Sequence, residues 1–299
     1  MRLMFLQLEI VLDHNRLLGI SQKVNTFLFL FKSSVLYLVR GICNMHNKFY
    51  MIDLDGTMYH GTNILPGAKD FINHLVRNNI EFIFLTNNSS RTQTQAANHM
   101  LKMGFENIKP EMFYTSAMAA ADTISRLYPN KRKAAYIGEK GMRKALIDYG
   151  FIIEPDKPDF LFVGLDRNAT YRDYSFAIRA LKTGAILVGT NNDRILLSED
   201  GENIGNGSVV AMFEYAADVE AIKIGKPHPA IIEGALRYAN VIKDDVIIIG
   251  DNLETDIKLG VNAGIETILV TTGINTMEDC YRLDIKPTYI VDKLSTLIR

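Results

Sequence analysis

Phe49-Tyr50-Met51-Ile52-Asp53-Leu54-Asp55-Gly56-Thr57 is an apolar run that ends abruptly in acid and glycine. Residues 49–54 are apolar on both alternating faces, the pattern of a strand buried in a parallel sheet. Residues 82–85, 246–249 and 267–270 repeat it. Between these runs, Phe71, Ile72, Leu75 and Val76 fall at helical spacing, as do Ala96, Ala97, Met100 and Leu101, each set placing one face on a sheet. Alternation of strand and helix predicts an α/β fold built on a doubly wound parallel sheet. Sheets of this kind bind ligands beyond the carboxyl ends of their strands, near the point where strand order reverses. The strand ends are therefore where the chemistry is sought.

The chain of 299 residues is long enough for two domains. Its 47% hydrophobic and 22% charged residues exclude disordered, collagenous and coiled-coil classes. A net charge of -1 supplies no basic field for nucleic acid or an anionic membrane, so any anion must be gripped locally. Cys43 and Cys280 are the two cysteines, far apart and in no CxxC or Cys/His cluster, which fits a reducing cytoplasm better than a disulfide or zinc scaffold. Residues 1–46 differ from the rest. Their apolar bursts, 27–31 and 35–39, are broken by Lys32, too short for a spanning helix and without the charge order of a signal peptide. They read as an extra helix or an upstream translation start, with Met45 and Met51 just before or within the first strand.

Four strand ends carry polar groups. In the first, Asp53 and Asp55 lie two apart on extended chain, so both carboxylates share a face, and Gly56 permits a sharp exit. Like charges this close call for a cation, and a hard divalent ion such as Mg²⁺ suits oxygen ligands. A plain Asp-Gly turn is the bland alternative. The second end, Thr86-Asn87-Asn88-Ser89-Ser90-Arg91, offers a donor nest for phosphate, or N-capping by Ser89 or Ser90. In the third, Lys226 sits between Gly225 and Pro227 as a point charge for phosphate, while His228 reads as a helix-entry residue. The fourth, Gly250-Asp251-Asn252-Leu253-Glu254-Thr255-Asp256, puts Asp251 at a strand tip from which it reaches the crevice of Asp53. Glu254 is explained by the helix dipole alone. No dinucleotide fingerprint, P-loop or G-x-S-x-G elbow is present.

Taken together and in this order, Asp53-x-Asp55-Gly56-Thr57, Thr86-Asn87-Asn88, Gly225-Lys226-Pro227 and Gly250-Asp251-x-x-x-Thr255-Asp256 resemble the haloacid dehalogenase (HAD) superfamily of phosphohydrolases, in its NagD-like, para-nitrophenyl phosphatase branch (subfamily IIA). The resemblance runs from Phe49 to the C-terminus. It implies a Rossmann-like core, residues 47–128 and 221–299, interrupted by an α/β cap at 129–220 that sets specificity, with 1–46 as an extension. Strand-like runs at 160–163 and 185–188 around a helix at 171–183 give that cap independent material. It further implies that Asp53 attacks phosphorus to form an aspartyl-phosphate while Asp55 protonates the leaving oxygen and later activates water. Mg²⁺ would be held by Asp53, Asp251 and the backbone carbonyl of Asp55, the phosphoryl oxygens by Thr86, Asn87, Asn88 and Lys226, and Asp256 would orient Lys226 or a metal-bound water. One departure is Ile204, where relatives commonly have Pro before Gly205-Asn206-Gly207-Ser208.

Cap candidates for the leaving group are Asn191 and Asp193, with Asp166, Arg167 and Asn192 beside them. The expected partner is a small phosphorylated metabolite, with sugar or acid-sugar phosphates favoured over nucleoside monophosphates or pyridoxal phosphate. Neither nucleic acid nor membrane is expected, and a homodimer is left open. A non-catalytic phosphometabolite-binding regulator is opposed by the intact Asp53/Asp55 pair, and a phosphotransferase of mutase type is separated from a hydrolase by its need for an acceptor.

Overall fold

The computed structural model describes residues 48–298 apart from 199 and 200. The reading of residues 1–46, Cys43 included, lies outside the described residues. From the N-terminal side run β1 (Phe49–Ile52), a hairpin of β2 (Tyr59–His60) and β3 (Asn63–Ile64), α1 (Ala68–Arg77), β4 (Phe82–Thr86), α2 (Gln93–Lys102), β5 (Phe113–Thr115) and α3 (Ser116–Leu127). Next come β6 (Lys133–Ile137), α4 (Lys140–Asp148), β7 (Ile152–Ile153), β8 (Phe160–Val163), α5 (Tyr171–Lys182), β9 (Ile186–Gly189), the hairpin β10 (Ile195–Ser198) and β11 (Gly201–Ile204), α6 (Asn206–Ala217) and β12 (Ile222–Lys223). The chain continues through α7 (Pro229–Ala239), β13 (Val246–Gly250), a π turn at Leu253–Ile257, α8 (Lys258–Ala263), β14 (Glu266–Val270), α9 (Met277–Leu283) and β15 (Tyr289–Val291).

The first sheet has six strands in the order β15-β14-β13-β1-β4-β5, every pairing parallel. The strands at its centre, Phe-Tyr-Met-Ile and Val-Ile-Ile-Ile-Gly, are buried at every position, as a sheet covered on both faces requires. From β1 the chain winds outward through β4 and β5, then returns to the other side of β1 for β13, β14 and β15. Strand order therefore reverses between β1 and β13, and the tips of those two neighbours carry Asp53 and Asp251. The crevice expected from the strand ends lies at this switch point.

α1 buries Ala68, Phe71, Ile72 and Leu75 as its spacing predicts. α2 buries Ala96, Ala97 and Met100, but Leu101 is 42% exposed, because it falls one step round the helix from the sheet-facing stripe. Neither Ser89 nor Ser90 caps α2. Thr92 does, in a reciprocal capping box with Gln95, which leaves the serines to other contacts.

The second sheet, β12-β9-β8-β6-β7, is also parallel. Its last strand, β12, pairs Ile222 with Val188 before the chain re-enters the first sheet, so the sheet extends past residue 220. One face packs Ala134, Phe160, Phe162 and Val188 into the same apolar cluster as Met51, Ile83 and Leu85 of the first sheet, with Ala117, Ala120 and Ala121 of α3 between them. α5 and α6 cover the other face around Leu161, Val163 and Phe213. Each fully buried aromatic such as Phe160 or Phe162 contributes about 2–3 kcal/mol by transfer from water, so this shared core fixes the second sheet's position.

Candidate active site

The β1 ladder extends one residue past its last paired side chain: the Asp53 amide donates to the Ile249 carbonyl at 2.8 Å, which holds the Asp53 carboxylate beside the tip of β13. The chain then turns sharply at Gly56, whose φ of 89° favours glycine. A Cβ there would lie 2.2 Å from Asp251 Oδ2. The turn delivers the hydroxyl of fully buried Thr57 between the two acids, 3.5 Å from Asp53 Oδ2 and 3.3 Å from Asp251 Oδ1. Asp251 is fixed from its other side by the Ile274 amide, which donates to Oδ2 at 2.8 Å. A Cβ on Gly273 would also intrude on that carboxylate, at 2.0 Å. Asp256 joins from the π turn, packed so closely on Gly250 that a Cβ there would sit 2.3 Å from its own. Carboxylate oxygens of Asp53, Asp251 and Asp256 all lie within 4.8 Å of one another.

Lys226 enters this group from the loop after β12. Its ammonium donates to Asp53 Oδ1 at 2.5 Å, Asp256 Oδ1 at 2.6 Å and the Leu85 carbonyl at 3.0 Å. All four charged groups are buried: Lys226 is 3% exposed, Asp53 8%, Asp251 and Asp256 1% each. Burial works against the Lys226 charge, but Asp256 and Asp53 outweigh it and hold the pKa above the usual lysine range. Burial pushes Asp53 well up, opposed by Lys226 and reinforced by Asp256 and Asp251. Asp251 is pushed up to about 6, by burial first and then by Asp256. Three carboxylates facing one ammonium leave two negative charges uncompensated in a site that water barely reaches. A hard divalent cation with oxygen ligands would restore neutrality, and the donor set fits Mg²⁺.

These shifts predict how stability depends on pH. Without divalent cation, the folded protein binds a proton at Asp251 that the unfolded chain has released, between 3.8 and about 6. Stability in EDTA should therefore fall as pH rises through that window. Mg²⁺, which needs the ionised form, should reverse the slope; urea titrations at stepped pH, with and without the ion, measure both.

Asp55 lies outside the triad. Its carboxylate reaches solvent, but protein crowds its remaining sides and raises its pKa, against the pull of Arg91, His99 and His60. Thr86, the last residue of β4, is 4% exposed, and its Oγ1 accepts from the Asn88 amide at 3.1 Å, leaving the hydroxyl proton for another acceptor. Asn88 binds its own loop, its Oδ1 accepting from the Ser90 and Arg91 amides. Asn87 ties three segments together. Its Oδ1 accepts from the Lys226 amide at 2.8 Å, and its Nδ2 donates to the Lys226 carbonyl at 3.2 Å and to Asp193 Oδ1 at 3.3 Å.

The loop after β9 thus meets the first sheet's loops directly. Asn191 Nδ2 donates to the Asn87 carbonyl at 2.8 Å, and Asn192 Nδ2 lies 3.0 Å from His228 Nε2, with His228 at the entry of α7. Burial raises the Asp193 pKa, opposed by Lys226 and Asn87. Asp166 accepts from the Asn168 amide in a turn, and Arg167 pairs with Glu139 at 2.8 Å. Sequence reasoning gave no role to Thr57 or to the loop Gly273-Ile274-Asn275, although Asn275 Oδ1 also accepts from the Leu253 amide at 2.8 Å. The signal was present: Thr271-Thr272-Gly273 is a polar end to the last of the four buried runs.

A family model described as haloacid dehalogenase-like hydrolase matches residues 50–152, and a second, HAD-hydrolase-like, matches 223–297. An acid sugar phosphatase of Staphylococcus epidermidis is 39% identical over 254 residues, 85% of this chain and 97% of the relative. Among solved structures, a 4-nitrophenylphosphatase from Thermotoga maritima superposes with a TM-score of 0.79 at 31% identity, covering 85% of this chain and 97% of the other. NagD from E. coli K-12 gives 0.76 at 31% identity, with coverage of 83% and 97%.

Proposed function

The chain belongs to the haloacid dehalogenase-like hydrolases, and from that premise we propose that it is a Mg²⁺-dependent phosphatase that hydrolyses small sugar or acid-sugar phosphates through an aspartyl-phosphate on Asp53. Its enzyme class, a phosphatase of phosphomonoesters in the NagD-like branch, follows from relatives of that class along almost its whole described length. The observation that supports the mechanism is the tip of β1. There Asp53 sits 2.5 Å from the Lys226 ammonium, with Asp55 two residues on and raised in pKa.

Asp53, Asp251 and the backbone carbonyl of Asp55 would hold the divalent ion, with the Asp256 carboxylate beside them, and it would supply charge neutralisation for the transferring phosphoryl group. The chain's own residues do the rest. Lys226 and the Thr86 hydroxyl hold phosphoryl oxygens, placing phosphorus in line with a carboxylate oxygen of Asp53. That oxygen bonds to phosphorus as the bond to the leaving oxygen breaks, and Asp55, whose pKa burial pushes up, gives a proton to the departing alkoxide. Asp55, now ionised, takes a proton from water as that water attacks phosphorus and frees Asp53. Thr57, between Asp53 and Asp251, keeps both carboxylates in register throughout.

In this reading residues 129–220 act as the cap over a core of 47–128 and 221–299. Asn191 and Asp193 contribute through the loop anchored on Asn87. Cys280 is buried as a free thiol, in keeping with a cytoplasmic location. No helix among the described residues is long and apolar enough to cross a membrane. The test is phosphate release from a panel of phosphomonoesters at fixed Mg²⁺. EDTA is expected to abolish turnover, and Mg²⁺ at a hundred times its Kd to add about 2.7 kcal/mol of stability. Full activity after exhaustive chelation would remove the ion from the account.

A further inference from the structure

The loop that follows β14 is open to solvent, with Ile274 and Met277 each 53% exposed. Between them Asn275 is only 8% exposed, and a buried amide costs free energy unless its own polar groups are paired. They are. Its Oδ1 accepts from the Leu253 amide at 2.8 Å, its backbone amide donates to the Asp251 carbonyl at 3.2 Å, and its Nδ2 donates to Asp279 Oδ2 at 3.5 Å.

The first two of these bonds fall on either side of Asn252. In a parallel ladder one residue donates to the carbonyl before its partner and accepts from the amide after it. Asn275 does the same to Asp251-Asn252-Leu253, with its side-chain oxygen standing in for a backbone carbonyl. The strands β13 and β14 are parallel neighbours whose last pairing is Gly250 with Leu269, so Asn275 adds a rung beyond the end of their ladder. Ile274, one residue earlier, supplies the amide that fixes Asp251 Oδ2 at 2.8 Å.

The segment held in this way carries two of the three acids. Asp251 is its first residue. Asp256 follows through the π turn: the Asn252 carbonyl accepts from the Asp256 and Ile257 amides at 3.0 and 3.2 Å, and the Asn252 amide donates to Asp256 Oδ2 at 3.4 Å. Carboxylates gathered within 4.8 Å of one another repel, which pushes this segment away from Asp53. The extra rung opposes that push.

We propose that Asn275 is a positioning residue for the divalent ion. It touches neither the ion nor the substrate, and acts by keeping Asp251, with Asp256 behind it, gathered on Asp53 before the ion arrives. Its loss should therefore weaken ion binding rather than the chemistry that follows. The inference rests on the Mg²⁺-dependent reading and adds a residue from outside the four strand-end motifs.

The experiment is titration calorimetry of Mg²⁺ into the full chain, with phosphate release from nitrophenyl phosphate at rising Mg²⁺ alongside. Asn275→Ala, and Asn275→Leu as a variant of closer volume, should raise the Mg²⁺ Kd about tenfold or more while kcat at saturating Mg²⁺ stays within about threefold of wild type. Asn275→Asp keeps an oxygen for the Leu253 amide and should hold the Kd within about threefold. Asp279→Ala removes the cap of α9 but neither bond to the Asp251–Leu253 segment, so it should lower the melting temperature and leave the Kd unchanged. Wild-type Mg²⁺ affinity in the Ala and Leu variants, or an equal loss in Asn275→Asp or Asp279→Ala, overturns the proposal. Failure of the wild type itself to bind Mg²⁺ strikes the ion in the phosphatase reading, and the proposal with it.

Discussion

Asp53→Asn is expected to lower phosphate release by roughly 10³-fold or more, the scale on which removal of a covalent nucleophile acts. The same substitution should leave the fold intact, since the amide is nearly isosteric and its oxygen can still accept from Lys226. Stability should move the opposite way from activity. Burial raises the Asp53 pKa against the pull of Lys226, which marks its negative charge as costly when no divalent ion is present. Removing that charge should raise the unfolding midpoint in EDTA while turnover vanishes. Rates with nitrophenyl phosphate and thermal melts on the same preparation test both halves. Activity within tenfold of wild type contradicts a covalent role for Asp53.

Lys226→Ala should damage fold and function together. The ammonium is the sole cation among three buried carboxylates of the described site, and it bonds two of them at 2.5 and 2.6 Å. Removing one partner of a buried ion pair costs about 3–5 kcal/mol, because the remaining charges stay desolvated. Mg²⁺ should recover part of this by taking over as counter-charge. On the kinetic side, the phosphoryl group loses a point charge, so KM should rise and kcat should fall. Urea unfolding with and without Mg²⁺, read beside the kinetics, separates the two contributions. A variant with stability within about 1 kcal/mol of wild type and unchanged KM would place Lys226 outside both roles.

The parts of this molecule legible in its sequence are those where one local signal suffices. Runs buried on both faces announce β1, β4, β13 and β14, and the polar residues at the tips of β1, β4 and β13 announce the crevice, since a parallel sheet directs its strand ends one way. Residues whose placement depends on a distant partner were harder to read. Nothing local to Thr57 gives it a role, and only the pairing of β1 with β13 brings Asp251 to its hydroxyl. Asp256 was read as orienting Lys226 or a metal-bound water, and it does bond Lys226, yet the π turn also carries its carboxylate into the triad itself. Asn87 and Asn88 fit a phosphate nest in sequence, but their side chains are committed to Lys226, Asp193 and their own loop. Thr92 caps α2, while Ser89 accepts from the Leu165 amide, a contact 76 residues away in the chain.

The account turns on the phosphoryl group passing to Asp53 before it reaches water. Its most direct test is the stereochemical course at phosphorus, followed with an isotopically chiral phosphomonoester whose phosphoryl group is transferred to an alcohol acceptor. Two successive displacements, first by Asp53 and then by the acceptor, predict overall retention of configuration. Inversion would mean a single direct displacement and would contradict it.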